Sequence, residues 1–196
     1  MADWETGYVM AELNSKRFFR KNAPEVNVRT VGLNDGRVKT MGGLTVIPDI
    51  TLDEVSVSEE SLLILPGGNT LGDAKQIPVI NKAKEILLSG GAVAAICGAT
   101  LALASAGLLD ERPHTSNGPG FLDMFCPSYR GRNHYVDKSA VSDGKLITAA
   151  GTAPLEWARE ILDVLGVFKC EKLQAWYSYF RTGEAEYFHK LMNDCR

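Results

Sequence analysis

The sequence has no apolar run near the roughly 20 residues that a helix needs to cross a bilayer, and no charged-then-apolar signal peptide opens it. The sequence also lacks a strong excess of either charge, because 24 acidic residues nearly balance 21 basic ones and leave a formal net charge of -3. Nucleic-acid binding needs a basic surface, which this balance does not supply. We therefore expect a protein that binds neither membranes nor nucleic acid.

Short cysteine spacings are absent as well. The four cysteines lie at positions 97, 126, 170 and 195, without the paired spacings of a zinc site or a disulfide framework. Free thiols are typical of a reducing compartment, so we predict a cytoplasmic location. The sequence also lacks a glycine-rich phosphate loop, a nucleotide fingerprint and a cluster of metal ligands, and we expect neither a cofactor nor a metal.

What is present favours one α/β domain. The 196 residues, 45% of them hydrophobic, can bury a large core. Buried strands that alternate with helices predict a mostly parallel, doubly wound sheet. The predicted helices are 3–19, 78–89, 98–107, 154–165 and 171–194 (interrupted at 183), and the predicted strands are 26–33, 61–65, 92–96, 135–141 and 145–149, with a further hairpin at 37–47.

The most informative stretch is residues 92–104 (AVAAICGATLALA), where an apolar run of strand length meets Cys97 and then opens a helical pattern. This order places Cys97 on a tight strand-to-helix turn, the geometry of a nucleophile elbow. Gly98 and Ala99 are small enough for the backbone to turn sharply there. The N-terminus of the following helix points free N–H groups at the sulfur, which favours the thiolate. The alternative is a buried cysteine at the end of a core strand.

Three segments fall at the carboxyl ends of predicted strands, where parallel sheets bind ligands: residues 66–68, Cys97 and residues 151–152.

The chain resembles the DJ-1/PfpI family of the class I glutamine amidotransferase-like superfamily in four motifs, which are LPGG at 65–68, AICGA at 95–99, HTSN at 114–117 and TAAGTAP at 148–154. The resemblance extends to about residue 168. It implies a flavodoxin-like three-layer α/β/α sandwich as a single domain over 1–196, with 170–196 as a C-terminal helical extension.

This resemblance also implies a site. Cys97 would be the nucleophile, and Glu5, in the segment ADWE at 2–5, would be its carboxyl partner. The backbone N–H groups of Gly68 and Gly98 would stabilise an anion. A carboxyl group beside a thiolate stays protonated and can hydrogen-bond the sulfur or shuttle a proton. The alternative for Glu5 is a first-turn glutamate favoured by the helix dipole.

His114 and His134 are the candidate bases. The family keeps a pocket-facing histidine in the loop that would contain His114, and the segment around His134 resembles one that carries a pocket histidine in the deglycase branch. Either ring could instead be a hydrogen-bonded loop histidine. Arg130 and Arg132 could recognise an anionic substrate or simply be solvated.

Three departures from the family pattern narrow the function. Gly98 follows the cysteine where the protease-like branch has a histidine, so that dyad is absent. Residues 152–156 (TAPLE) stand where true amidotransferases carry His-Pro-Glu, which argues against a glutaminase triad. The first strand of the family, normally central in the sheet, has no counterpart before Glu5. Either the true start lies upstream, or another segment fills the gap.

We predict thiol-dependent chemistry on a small carbonyl or acyl compound, of hydrolase, amidase or glyoxalase/deglycase type, through a covalent adduct at Cys97. One alternative is a non-catalytic redox or stress sensor in which Cys97 is oxidised to the sulfenic or sulfinic acid. Another is a module that only binds a small molecule. Besides the substrate, the expected partner is a second copy of the chain in a homodimer.

Overall fold

A four-stranded sheet forms the centre of the computed structural model, which describes residues 1–70 and 74–193. The strands in chain order are β1 (Val31–Gly32), β2 (Val38–Lys39), β3 (Thr45–Val46), β4 (Ile50–Thr51), β5 (Leu62–Leu65), β6 (Ala92–Ile96), β7 (Ala140–Ser142) and β8 (Leu146–Ala149). The central sheet has the order β5-β6-β8-β7, in which β5, β6 and β8 are parallel and β7 is antiparallel to β8. The mostly parallel sheet is thus confirmed.

Seven α-helices occur in the described residues. They are α1 (Asp3–Ser15), α2 (Ile77–Leu88), α3 (Gly98–Ser105), α4 (Phe121–Phe125), α5 (Pro154–Val164), α6 (Cys170–Thr182) and α7 (Ala185–Met192). Short 3₁₀ turns cover Leu52–Glu54, Ala74–Gln76 and Gly131–His134. Within residues 1–70 and 74–193, none of the helices combines the length and the apolar character that a membrane span requires.

The strand β6 separates two cores, and all five of its residues are buried. Successive side chains of a strand point to opposite faces, which explains the split. Ala94 and Ile96 pack with residues of α1, α5 and α6, whereas Val93 and Ala95 pack with residues of α2 and α3. Small alanines let helices approach the sheet closely from both sides. The three-layer α/β/α sandwich predicted from the sequence is confirmed.

A buried hydrogen bond joins the C-terminal extension to α1. The Nε1 of Trp176 donates to Oε1 of Glu12 at 2.9 Å, and the Nε of Arg17 donates to the other carboxylate oxygen at 3.1 Å. Both Glu12 and Trp176 are buried, so each needs such a partner to offset its lost hydration. The predicted break at Gly183 is present, where a left-handed φ of 73° ends α6.

Three predicted boundaries are wrong. The strand predicted over 135–141 is shortened to β7, because residues 136–139 pair with no strand and Tyr135 makes only an isolated bridge with His114. The first helix ends at Ser15 rather than near residue 19, because Lys16 adopts a left-handed φ of 54°. The strand predicted over residues 26–33 is reduced to β1, which pairs with β4. Val26 and Val28 are half-buried against the core without strand pairing, so their apolar alternation reflects burial and not a ladder.

The two predicted hairpins are present. The strands β2 and β3 pair antiparallel around Gly43, whose φ is 86°, and β7 and β8 pair antiparallel around Gly144, whose φ is 90°. Glycine adopts these left-handed conformations without steric cost. The predicted helix end at Asp194 and the fourth thiol, Cys195, lie outside the described residues.

The strand β5 stands at an edge of the central sheet. No strand among the described residues pairs with its outer side, although Leu62 and Ile64 are only half-buried there. The backbone N–H of Ala2 donates to the carbonyl of Gly67 at 2.9 Å, just beyond the end of β5. A chain segment that led into Ala2 in parallel with β5 would therefore continue this pairing.

We expect an added N-terminal segment of about ten alternating apolar and polar residues to form a strand beside β5, because strands commonly span about five to six residues. Pairing the open edge would satisfy backbone groups and cover Leu62 and Ile64, so the melting temperature should rise by about 5 °C. Calorimetry would compare this chain with one that carries a glycine-serine extension of equal length. Equal melting temperatures would contradict the expectation.

Candidate active site

Cys97 connects β6 to α3 in a backbone conformation that is unusual for a side chain other than glycine. Its φ is 58° and its ψ is -128°, and among the described residues only Lys16 is another non-glycine with positive φ. Strain of this kind persists where the surroundings impose it, and it is common at functional sites. Here the N–H of Cys97 donates to the carbonyl of Ala149 at 3.0 Å, and Oγ1 of Thr100 donates to the carbonyl of Cys97 at 2.6 Å.

Two glycines provide the space around the Cys97 side chain. A Cβ built on Gly151 would lie 2.8 Å from the sulfur, and a Cβ built on Gly67 would lie 2.9 Å from Cβ of Cys97. Both distances are far below van der Waals contact, so larger residues would displace the side chain. The ends of β5, β6 and β8 therefore meet at Cys97, as expected for a parallel sheet.

Glu5 reaches the same point from the first turn of α1. Its side chain is buried, and its Oε2 accepts from the N–H of Gly67 at 2.5 Å. Its Oε1 has no hydrogen-bond partner among the described residues and would lie 2.9 Å from a Cβ on Gly67. Burial raises the pKa of Glu5, and the hydrogen bond from Gly67 together with the nearby Cys97 side chain offsets only part of this rise.

The electrostatics of Cys97 differ from the sequence expectation of a stabilised thiolate. Burial raises the pKa of the thiol, and the nearby carboxylate of Glu5 raises it further. Hydrogen bonds from Asn117 and from the N–H of Gly98, at the start of α3, lower the pKa but do not reverse the direction. A raised pKa favours the protonated thiol, so nucleophilic attack needs a group that accepts this proton.

Two further residues contact the site that the sequence reasoning did not single out. Nδ2 of Asn117 donates to the sulfur of Cys97 at 3.6 Å, while its Oδ1 accepts from the N–H of Gly151 at 2.9 Å. Nε1 of Trp4 donates to the carbonyl of Gly151 at 3.2 Å. Asn117 belongs to the motif HTSN and Trp4 to the segment ADWE, so motif membership was the available signal.

His114 does not contact the thiol. It is fully buried, and its ring nitrogens bond the carbonyl of Arg112 at 2.7 Å and the hydroxyl of Tyr129 at 2.6 Å. Burial lowers the pKa of His114, which favours the neutral ring. His134 is exposed and interacts with His114 through its backbone carbonyl. The structure brings neither ring into hydrogen-bond contact with Cys97, and the ring of His114 is engaged by Arg112 and Tyr129 instead.

The two arginines considered for anion recognition form no hydrogen bond with the Cys97 thiol. Arg132 pairs with Asp123, and Arg130 donates to backbone carbonyls. Cys126 is buried; burial raises its pKa, but hydrogen bonds from nearby serine side chains outweigh burial and lower it overall. Cys170 is exposed at the start of α6. Cys97 is therefore more accessible to a reagent than Cys126, although the pKa of Cys126 is lowered and that of Cys97 is raised.

The half-buried Gly68 follows Gly67 at the end of β5, while Gly98 is the first residue of α3. N–H groups of a first helical turn lack partners within the helix. The N–H of Gly98 is directed to the Cys97 sulfur. This arrangement can stabilise negative charge beside the sulfur.

We expect Gly151→Ala to slow the alkylation of Cys97 by about tenfold or more, since the new methyl group would displace the sulfur. Gly151 does not adopt a positive φ, so alanine fits its backbone. The rate would be measured with iodoacetamide and peptide mass spectrometry. Gly7→Ala is the matched control, because a methyl group at that position in α1 would meet no neighbouring atom within 4 Å and should leave the rate unchanged. An unaltered rate in Gly151→Ala would contradict the packing argument.

Comparison with known proteins identifies the family of the chain. The family model described as DJ-1/PfpI family matches residues 1–164. The chain belongs to the DJ-1/PfpI family. The matched region includes Glu5, Cys97 and Gly151 and ends with α5, so α6 and α7 lie beyond it.

Individual DJ-1/PfpI relatives support the assignment. The Bacillus subtilis protein named "Uncharacterized protease YoaZ" is 48% identical and covers 98% of this chain and 92% of its own length. The crystal structure of a ThiJ/PfpI family protein from Bacillus anthracis has a TM-score of 0.96 at 48% identity, over 98% of this chain and 91% of that one. "Deglycase PH1704" of Pyrococcus horikoshii is 31% identical over 66% of this chain and 77% of its own, and another relative is named a glyoxalase.

Proposed function

We propose that this chain is a cysteine-dependent enzyme that acts on a small, uncharged carbonyl compound, such as a dicarbonyl, through a covalent adduct at Cys97. The observation that carries the proposal is the buried, unpartnered Oε1 of Glu5 beside a thiol that needs a proton acceptor. The names of relatives as protease, deglycase and glyoxalase support chemistry of this class.

The first step transfers a proton and forms one bond. The thiol proton of Cys97 passes to Glu5 as the sulfur adds to the carbonyl carbon, and the carbonyl π electrons move to its oxygen. A base is most effective when its pKa lies near the working pH, which fits the raised pKa of Glu5. N–H groups of Gly98 and Gly68 would stabilise the new oxyanion, which then takes the thiol proton from Glu5.

For a dicarbonyl, the second half of the reaction is redox-neutral. Glu5 removes the C–H proton of the hemithioacetal and delivers it to the neighbouring carbon, while the hydroxyl proton of the hemithioacetal passes to the ketone oxygen. The aldehyde carbon thereby becomes a thioester and the ketone becomes an alcohol. Water then cleaves the S–C bond and frees the thiol. For methylglyoxal the product is lactate. An ester or amide would instead expel its alcohol or amine before the same hydrolysis.

The charge of the site favours an uncharged substrate. Within the described residues, Glu5 is the only ionisable side chain that contacts Cys97. Arg130 and Arg132, considered above for anion recognition, are engaged elsewhere. An anionic substrate would meet the carboxylate of Glu5 without a compensating cation.

The test is the consumption of methylglyoxal with lactate measured as product, alongside hydrolysis of an activated ester. We expect turnover of at least one of them. A parallel titration with peroxide, read by intact mass, tests the alternative of a redox sensor in which Cys97 is only oxidised. Sulfinate formation at Cys97 without turnover of either compound would overturn the enzyme proposal and favour the sensor.

A further inference from the structure

The amide of Asn117 has one possible orientation. The N–H of Gly151 is a donor, so the atom of Asn117 that it contacts at 2.9 Å must be the carbonyl Oδ1. The NH₂ group then faces the sulfur of Cys97 at 3.6 Å. The orientation therefore follows from the backbone of the β8 loop and needs no assumption about the thiol.

The loop that carries Asn117 is held against the sheet. The N–H of Thr115 donates to Oγ1 of Thr148 at 2.9 Å, and the hydroxyl of Thr115 donates to the carbonyl of Lys138 at 2.7 Å. The hydroxyl of Ser116 shares a hydrogen bond of 2.7 Å with that of Thr100. All of these hydroxyls lie on buried residues.

The same frame holds the cysteine. Oγ1 of Thr100 also donates to the carbonyl of Cys97, so Asn117 and the thiol are fixed to one network. A donor held rigidly at a sulfur can act on that sulfur without a new ordering cost each time the negative charge forms.

We propose that Asn117 is a positioning residue, which holds the Cys97 sulfur in its attacking orientation and donates a hydrogen bond to the thiolate as it forms. A thiolate is a stronger acceptor than a thiol, so the bond strengthens when the proton leaves. Unlike a histidine, the amide has no titration near neutral pH, and its contribution does not change with pH. The role concerns the sulfur itself and holds whichever substrate the site takes.

The test compares Asn117→Ala with Asn117→Asp by iodoacetamide alkylation of Cys97 across a pH series. Loss of the donor in Asn117→Ala should slow alkylation near neutral pH by about three- to tenfold, in line with the net contribution of one hydrogen bond. The apparent pKa of Cys97 should rise correspondingly. Asn117 is exposed, so both variants should fold, which a melting curve would check.

The apparent pKa of Cys97 separates this role from loop anchoring. The carboxylate in Asn117→Asp would still accept from the N–H of Gly151 but would turn its other oxygen toward the sulfur, so alkylation should be slower than in Asn117→Ala. If Asn117 only anchored the loop, the apparent pKa of Cys97 would be the same in Asn117→Ala as in the unmodified chain. That result, or an unchanged rate in Asn117→Ala, would overturn the proposal. Asn133→Asp, at an exposed position away from the thiol contacts, controls for added negative charge.

Discussion

Replacing Cys97 by serine should reduce carbonyl turnover by about a thousandfold or more, because a hydroxyl is far less acidic than a thiol and far less nucleophilic. A carboxylate such as Glu5 cannot deprotonate serine effectively. The described residues offer no replacement base, since both ring nitrogens of His114 are engaged elsewhere. The measurement is kcat/KM for methylglyoxal and for the activated ester.

Cys170→Ser is the matched control for this loss. It makes the same chemical change at an exposed thiol at the start of α6, outside the family match, and should retain full activity. The exchange of sulfur for oxygen at Cys97 is small, so the melting temperature should change little. Activity that survives in Cys97→Ser would exclude covalent catalysis by this thiol.

Replacing Glu5 by glutamine should make Cys97 more reactive toward alkylation while it makes the protein a poorer enzyme. The carboxylate of Glu5 raises the pKa of the thiol, so its removal should lower that pKa. Glutamine keeps an acceptor for the N–H of Gly67 but cannot accept the thiol proton. We therefore expect kcat/KM to fall by about a hundredfold, a typical contribution of a general base.

The measurement pairs an alkylation profile against pH with the pH dependence of turnover. Glu171→Gln, at an exposed position on α6, should change neither. Faster alkylation together with unchanged turnover would remove Glu5 from the mechanism. Slower alkylation would contradict the like-charge interaction between the two groups.

Glu5→Gln should also remove a pH dependence from the free energy of unfolding. Burial raises the pKa of Glu5 in the folded state above its ordinary value of 4.5, so the folded state binds the proton more tightly than the unfolded state. The stabilisation is full below that ordinary value and is lost as the pH rises through the folded pKa. Urea unfolding of the unmodified chain should thus show a decline over this range that is absent in Glu5→Gln.

The position of Cys97 could be predicted from the sequence because its determinants are local. An apolar strand, one cysteine and a run of small residues are contiguous, and their order imposes the turn. The prediction of Glu5 depended on the resemblance to the DJ-1/PfpI family, since it lies 92 positions before Cys97 and periodicity gives no sign of their contact. The direction of the thiol pKa was missed, because burial of the sulfur is a tertiary property that outweighs the helix N-terminus.

The rest of the site could not be predicted because it depends on how loops pack. The sequence suggested His114 from the motif HTSN, but the loop turns its third following residue, Asn117, toward the sulfur. The ring of His114 instead forms a hydrogen bond with the hydroxyl of Tyr129, which lies 15 residues further along the chain. The clearance at Gly151 likewise arises only when the ends of β6 and β8 are brought together.

The most direct test follows activity and thiol modification in one reaction. Iodoacetamide is added in limiting amounts, and each sample is divided between a turnover assay and peptide mass spectrometry of the cysteines. We expect residual activity to fall in proportion to the modification of Cys97, whichever thiol reacts first, and to reach zero at one modified Cys97 per chain. Activity that persists when Cys97 is fully alkylated, or that is lost with Cys126 or Cys170 while Cys97 remains free, would contradict this expectation.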